Sequence, residues 1–370
     1  MMKEKTKDWY EIENVDQIDS PALIIYQERL KENIVSIVDV VGDVSRLRPH
    51  VKTHKSDEIT RMMMEAGVQK FKCATISEAE MLGNCGVKDV LLAYQPTLIK
   101  AQRWITLIHR YKKTAFSCLV DNLDTVSQLS DAAVKNGMVI SVYLDLDVGM
   151  HRTGLRPDEL TVNLYKAINR FPGINLKGLH AYDGHINHPD IKVRKEWWEK
   201  AFKPVFALKQ ILINRGHKCL TLIAGGSPTF AFLTGQDNVE CSPGTFVFWD
   251  HGYLQSIPEQ KFRPAALVIS RIISMPGDNL ICLDLGYKSI ASEKELNNRV
   301  FFLNAPQLKM IGHSEEHLVA EVPEGHHWKI GDVLYGLPFH ICPTVALYEN
   351  AVLIRDKKMI STLKITARNR

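Results

Sequence analysis

Between Arg46 and Val247 short apolar, β-branched runs alternate with longer stretches whose apolar residues recur at helical spacing. That alternation predicts successive βα units around a parallel sheet. The runs place strands at Arg46–Lys52, Lys70–Ile76, Asp89–Tyr94, Ala115–Asp121, Val139–Asp147, Leu176–Tyr182, Leu220–Gly225 and Val239–Val247. Between them lie helical segments such as SDEITRMMMEAG, with Ser56 as the expected N-cap, and NLDTVSQLSDAAVKNG, closed by Gly137. Eight units of this kind make an α/β fold of the (β/α)8 TIM-barrel type.

After about Pro264 the texture changes. Short strand-like pieces, AALVISRIISM, NLICLDLG, HLVAEVPE, DVLYGLPF and AVLIRD, are separated by PGDN, EGHH and ENA turns and show little helical periodicity. The expected organisation is a barrel over residues 21–262, an all-β domain over 263–370, and a leading segment, 1–20, that could pack with the β domain.

Composition narrows the function. With 370 residues there is room for two cores, and no stretch approaches the roughly 20 apolar residues needed to span a bilayer. The opening MMKEKTKDWYEIENVDQ lacks the apolar centre of a secretory signal, so the expected location is cytoplasmic. Seven cysteines, Cys73, Cys85, Cys118, Cys219, Cys241, Cys282 and Cys342, are scattered without CxxC spacing, which argues against a disulfide framework. A net charge of +4 without a basic run implies no nucleic-acid partner, and leaves small-molecule chemistry as the expectation.

In a TIM barrel the chemistry sits where the strands end, in the βα loops. The polar residues fall there: Lys52, Tyr94 and Gln95, Asp147 with Arg152, the run YDGHINH from Tyr182 to His188, then Gly225, Gly226, Ser227 and Thr229, then Ser242, Gly244 and Thr245. The last two groups occupy the loops that commonly bind phosphate, where glycines let backbone N–H groups close on an anion and a helix N-terminus adds its dipole. Lys52, ending the first strand opposite them, then suggests an amine that binds pyridoxal phosphate covalently. Arg48, His50, His54 and Lys55 would supply a cation-rich setting for it.

With RPHVKTHK, DVGMHRTG, YDGHINH, GGSPT, SPGTFVFWD, SEEH and PFHICPTV in view, the sequence resembles the D-threonine aldolase and D-serine dehydratase family, among the alanine-racemase-like, fold-type III pyridoxal-phosphate enzymes. The resemblance runs from SPALII to HICPTV. It implies a homodimer, a D-amino-acid substrate and a divalent metal, zinc or manganese. By motif position it implies that Lys52 carries the cofactor, Arg152 lies near its phenolic oxygen, Tyr182 lies at its ring, His188 is the base, and His340 with Cys342 hold the metal.

Alternate residues on a strand share a face, so His340 and Cys342 could reach one ion, and imidazole plus thiolate suits zinc. The resemblance gives Cys342 a bearing on the reaction, since the family's aldolases often carry a carboxylate there and its dehydratases a cysteine. The expected activity is D-threonine aldolase, cleaving substrate to glycine and an aldehyde. The alternative is D-serine or D-threonine dehydratase, giving a 2-oxo acid and ammonia. Weaker options are a non-catalytic cofactor-binding protein and a racemase. Glu315, Glu316 and His317 could support the metal or the dimer, though a solvated turn is the simpler reading.

Overall fold

The computed structural model describes residues 8–217 and 220–370; residues 1–7, part of the stretch read for a leader, and Cys219 lie outside them. The chain forms two compact units. One is built from Ile34–Phe246 and Ser256–Gln260 with the last two residues, the other from the residues up to Asn33 with Val247–Gln255 and Lys261–Arg368. Among the described residues no helix is long and apolar enough to cross a membrane.

The first strand, β1 (Ala22–Tyr26), belongs to the second unit. The first unit contains β2 (Lys70–Cys73), β3 (Asp89–Leu92), β4 (Ala115–Val120), β5 (Ile140–Leu146), β6 (Ile174–Ala181), β7 (Thr221–Ala224) and β8 (Val239–Cys241). These pair in chain order, all parallel, as the βα pattern requires. Leu91, Leu119, Tyr143 and Ile223, from β3, β4, β5 and β7, pack together inside, each contributing about 1.5–3 kcal/mol by leaving water.

The predicted strand at Arg46–Lys52 is not regular. Two 3-10 turns, Val44–Arg46 and Val51–Thr53, bracket it, and only single parallel bridges form, Leu47 to Cys241 and His50 to Lys72. Pro49 has no N–H to give a ladder. Its carbonyl still accepts from Lys72, while Arg48 and His50 donate to Cys241 and Pro243, so the segment ties β8 to β2 and closes the barrel. Lys52 therefore sits in a turn, not at a strand end. The Val239–Val247 run likewise ends its strand at Cys241, and Thr245–Val247 is a 3-10 turn. Ser56 takes the N-cap position of helix Asp57–Glu65 without a side-chain cap bond.

In the second unit β9 (Ala266–Gly277), β10 (Leu280–Leu283), β11 (Val300–Phe302), β12 (Lys309–His313), β13 (Leu318–Glu321), β14 (Val333–Pro338), β15 (Asn350–Arg355) and β16 (Lys358–Lys364) join β1 in a nine-stranded sheet. β1 is central to it, antiparallel to β9 and parallel to β15. Its Ile24 and Tyr26 pack with Tyr10, Leu267, Ile269, Tyr335, Leu337 and Ile354. Glu315 and Glu316 form exposed ion pairs with Lys288, as a solvated turn would.

Candidate active site

Three cations converge on one aromatic ring at the C-terminal ends of the parallel strands. Lys52 Nζ lies 5.7 Å, Lys72 Nζ 5.8 Å and the Arg152 guanidinium 4.6 Å from the centre of the Tyr182 ring. Tyr182 immediately follows β6, and Arg152 comes from the loop after β5, whose turn is held by Asp147 accepting from the Gly149 and His151 N–H groups. Such a ring offers a face to cations and a wall to a flat ligand.

The rest of RPHVKTHK does not surround Lys52 with charge as expected. Arg48 is fully buried and turned into a bidentate pair with Asp89, 2.8 and 2.9 Å, and a bond to Glu240, 2.6 Å. Lys55 pairs with Glu78. Burial keeps His50 and His54 uncharged, pushing the first well below the usual histidine range and the second down to about 3. Lys72, one strand away, is the cation that accompanies Lys52, and the sequence reading missed it.

The loops after β7 and β8 meet through one hydroxyl: the N–H groups of Gly244 and Thr245 both point at Ser227 Oγ, 3.4 and 3.2 Å away. Two backbone donors converging on a single oxygen are what a phosphate oxygen would find. Gly244 must be glycine, since a Cβ there would stand 2.9 Å from the His50 carbonyl oxygen. Gly225 has φ of +77°, and a Cβ would meet Phe230 Cα at 2.8 Å. Gly226 and Thr229 differ from expectation: the Gly226 N–H and Thr229 hydroxyl both donate to Asp183, at 2.9 and 2.5 Å, so they shape the loop from behind. No helix dipole reinforces the loop either, because only a four-residue 3-10 turn, Phe230–Leu233, follows it.

Beneath the ring is a polar floor. His180 Nδ1 bonds Asp145 at 2.7 Å, Asp145 also meets Gln95 at 3.2 Å, and Gln95 reaches Asp121 at 2.8 Å. Asp145, though buried, is held below the usual carboxylate range by its hydrogen bonds, that of His180 the largest of them. Asp183 is pushed up by burial. His180 Nε2 is buried with no partner, an orphan that costs about 1–3 kcal/mol unless a ligand meets it. Anion-type donors, an aromatic wall, two amines and an orphaned ring nitrogen together fit a phosphorylated aromatic aldehyde.

His188 lies farther along the same loop. Its ring packs edge-on against Trp197, and its Nδ1 accepts from the Asp190 N–H at 3.1 Å. That bond commits the lone pair of the neutral ring. In the second unit, His340 and Cys342 are not on a strand: His340 is the N-cap of helix Ile341–Ala346, and Cys342 is its second residue. The Ile341 N–H is drawn to the buried Asp250, 3.0 Å away, and the Thr344 hydroxyl bonds back to the His340 carbonyl, which starts the helix. The two side chains nevertheless meet in a hydrogen bond, and with Glu293 on Nδ1 they outweigh burial and raise His340 to about 9. Among the described residues no group of three metal-type ligands is assembled.

The alanine racemase N-terminal domain model matches residues 25–251, and a serine dehydratase domain model matches 265–354. The chain belongs to the alanine-racemase-like, fold-type III family. This family is pyridoxal-phosphate dependent, and its fold is the parallel barrel-like domain followed by the mostly-β domain described above. D-threonine aldolase of Arthrobacter sp is 28% identical over 95% of this chain and 93% of that one. The crystal structure of D-threonine aldolase from Filomicrobium marinum aligns over 98% of both chains at TM-score 0.88 and 25% identity. D-threo-3-hydroxyaspartate dehydratase from Delftia sp. HT23 aligns over 94% of this chain and 97% of that one, at TM-score 0.81 and 22% identity. That dehydratase has also been solved with a histidine, and with a cysteine two positions on, replaced by alanine, the second in a metal-free form.

Within the family frame, the motif residues Lys52, Arg152 and Tyr182 come together as a group. Lys72, Asp145, His180 and Asp183 join them without having been singled out for a role. Asp145, His180 and Lys72 lie inside apolar strand runs, where a lone polar residue is the available signal.

Proposed function

We propose that the protein is a pyridoxal-phosphate-dependent lyase that cleaves D-β-hydroxy-α-amino acids to glycine and an aldehyde, with D-threonine as the type substrate. The observation that carries this reading is the convergence of Lys52 and Arg152 on the Tyr182 ring beside two backbone N–H groups aimed at one oxygen. The relation to D-threonine aldolase along nearly the whole chain supports it.

When bound, the cofactor supplies a sink for the electron pair left at Cα. In this reading Lys52 would hold the cofactor through its amine. Arg152 would supply positive charge beside it and Tyr182 an aromatic wall. Ser227 and the Gly244 and Thr245 N–H groups would hold its phosphate, with Gly225 shaping the turn, while Gly226 and Thr229 set that loop through Asp183. His188 takes the β-hydroxyl proton, for which its ring must first release the Asp190 N–H. His340 and Cys342 would hold a divalent metal, with imidazole and thiolate favouring zinc over manganese, and such an ion would supply Lewis-acid chemistry.

Cys342 favours a second reading, β-elimination from D-serine or D-threonine, because the histidine and cysteine replaced in the Delftia dehydratase have the same spacing. Product analysis on D-threonine separates the two. Glycine with acetaldehyde supports the aldolase; 2-oxobutanoate with ammonia replaces it by the dehydratase.

A further inference from the structure

The barrel also opens at the N-terminal ends of its parallel strands, at the end opposite Tyr182. A cavity of about 330 Å3 lies there, and Lys70, Asp89 and Thr221, the first residues of β2, β3 and β7, stand on its wall. Alternate residues of a strand share a face. Ser117, Ser141 and Thr221, which also line the cavity, therefore lie one layer below Leu119, Tyr143 and Ile223, residues packed inside the barrel. Such an interior is normally filled by Val, Ile and Leu, and this end of the barrel normally reflects stability alone. Here three small hydroxyl side chains leave the space open.

Two cations and two carboxylates of this layer hold one another. Arg48 bonds Asp89 and Glu240, and Lys70 bonds Glu240. Lys177 is the cation left over. In the β5–β6 ladder Val142 stands opposite Leu176 and Tyr143 opposite Gly178, so Lys177 is the extra residue of a bulge, a device that re-aims a side chain. It stands exposed at the mouth of the cavity. Among the described residues Lys177 forms no ion pair, and the hydroxyl of Tyr143, a residue only 6% exposed, makes no hydrogen bond. A Tyr hydroxyl this far inside a protein ordinarily has a partner; this one is offered to whatever fills the cavity. Three cations against two carboxylates leave one positive charge. That matches the single charge of a carboxylate better than the roughly −1.5 to −2 of a phosphate monoester.

We propose that this cavity is a second binding site, for a small organic carboxylate, in which Lys177 pairs with the carboxylate and the Tyr143 hydroxyl donates to it. The inference stands apart from the lyase reading, because neither residue has a part in the candidate active site.

The test titrates the full chain with sodium acetate and follows it by NMR. The protein is labelled at the tyrosine ring carbon that bears the hydroxyl, and is saturated with pyridoxal phosphate so that the donors around Ser227 are taken. Absence of one resonance from Tyr143→Phe identifies the signal of Tyr143. Acetate moves that signal along a saturating curve. Lys177→Met, a change at an exposed side chain, weakens acetate at least about 10-fold, the size of one charge-assisted hydrogen bond. Ser141→Val, which fills the space without altering charge, abolishes the shift while the cofactor absorbance stays. No saturating shift in the wild type, undiminished affinity in Lys177→Met or Ser141→Val, or tighter binding of inorganic phosphate than of acetate overturns the assignment. A chain that takes up no pyridoxal phosphate counts against the lyase reading alone, and the same titration then decides this site.

Discussion

Replacing Lys72 by Met in the cofactor-free protein tests the electrostatics of the barrel floor with no turnover involved. Met has a similar length and fills the same apolar path, so packing changes little. In the folded chain the Lys72 amine is lowered from 10.5 to about 7, mainly by burial. Between those values the unfolded chain holds a proton that the folded chain has lost, so stability rises with pH through that window and is lowest below it. Each full pH unit contributes about 1.4 kcal/mol, and since the folded amine is already half deprotonated at pH 7 this makes about 2 kcal/mol between pH 7 and 9. Lys72→Met lacks this slope and is the more stable protein at pH 7. At about 2–4 °C per kcal/mol for a domain of this size, its advantage in Tm shrinks by about 4–8 °C over those two units. Thermal unfolding of both proteins across pH 7–9 measures it, with the difference between them cancelling other titrating groups. Parallel curves would refute the burial of this amine inside the barrel.

Further outcomes follow from the same geometry. Gly244→Ala forces a Cβ to 2.9 Å from the His50 carbonyl oxygen and disturbs the converging donors, so pyridoxal phosphate should bind about 10–100-fold more weakly, a cost of about 1–3 kcal/mol. Unphosphorylated pyridoxal should bind nearly unchanged, as fluorescence titration of both ligands will show. Arg48→Met leaves Glu240 and Asp89 without their buried partner and should destabilise by about 3–5 kcal/mol in urea unfolding, whereas an exposed pair such as Lys309 with Glu321 should cost under about 1 kcal/mol. Cys342→Ala should lower the zinc content of purified protein, measured by elemental mass spectrometry; retention of full zinc would remove Cys342 from the metal pair.

The barrel was legible because its strands are buried on both faces and its helices on one, which leaves period and length in the sequence. What escaped reading had weaker physical signals. β12 and β16 carry exposed faces and polar residues, and β1 finds its partners hundreds of residues away. The Arg46–Lys52 run looked like a strand because Leu47 and Val51 are buried, but Pro49 breaks the ladder. His340 and Cys342 looked like strand neighbours because β14 ends just before them, and the Asp250 and Thr344 contacts turn the chain into a helix there. Lys52, Arg152 and Tyr182 could be found from motif and strand-end position. Lys72, Asp145 and His180 could not, since their importance lies in what the fold places opposite them.

The measurement closest to the central claim is borohydride reduction of the pyridoxal-phosphate-loaded protein, peptide mapping of the adduct, and product analysis on D-threonine with the same preparation. The account predicts a single adduct on Lys52 within RPHVKTHK, glycine and acetaldehyde in equal amounts, and loss of both adduct and products in Lys52→Ala. An adduct on another lysine, or activity that survives in Lys52→Ala, would contradict it.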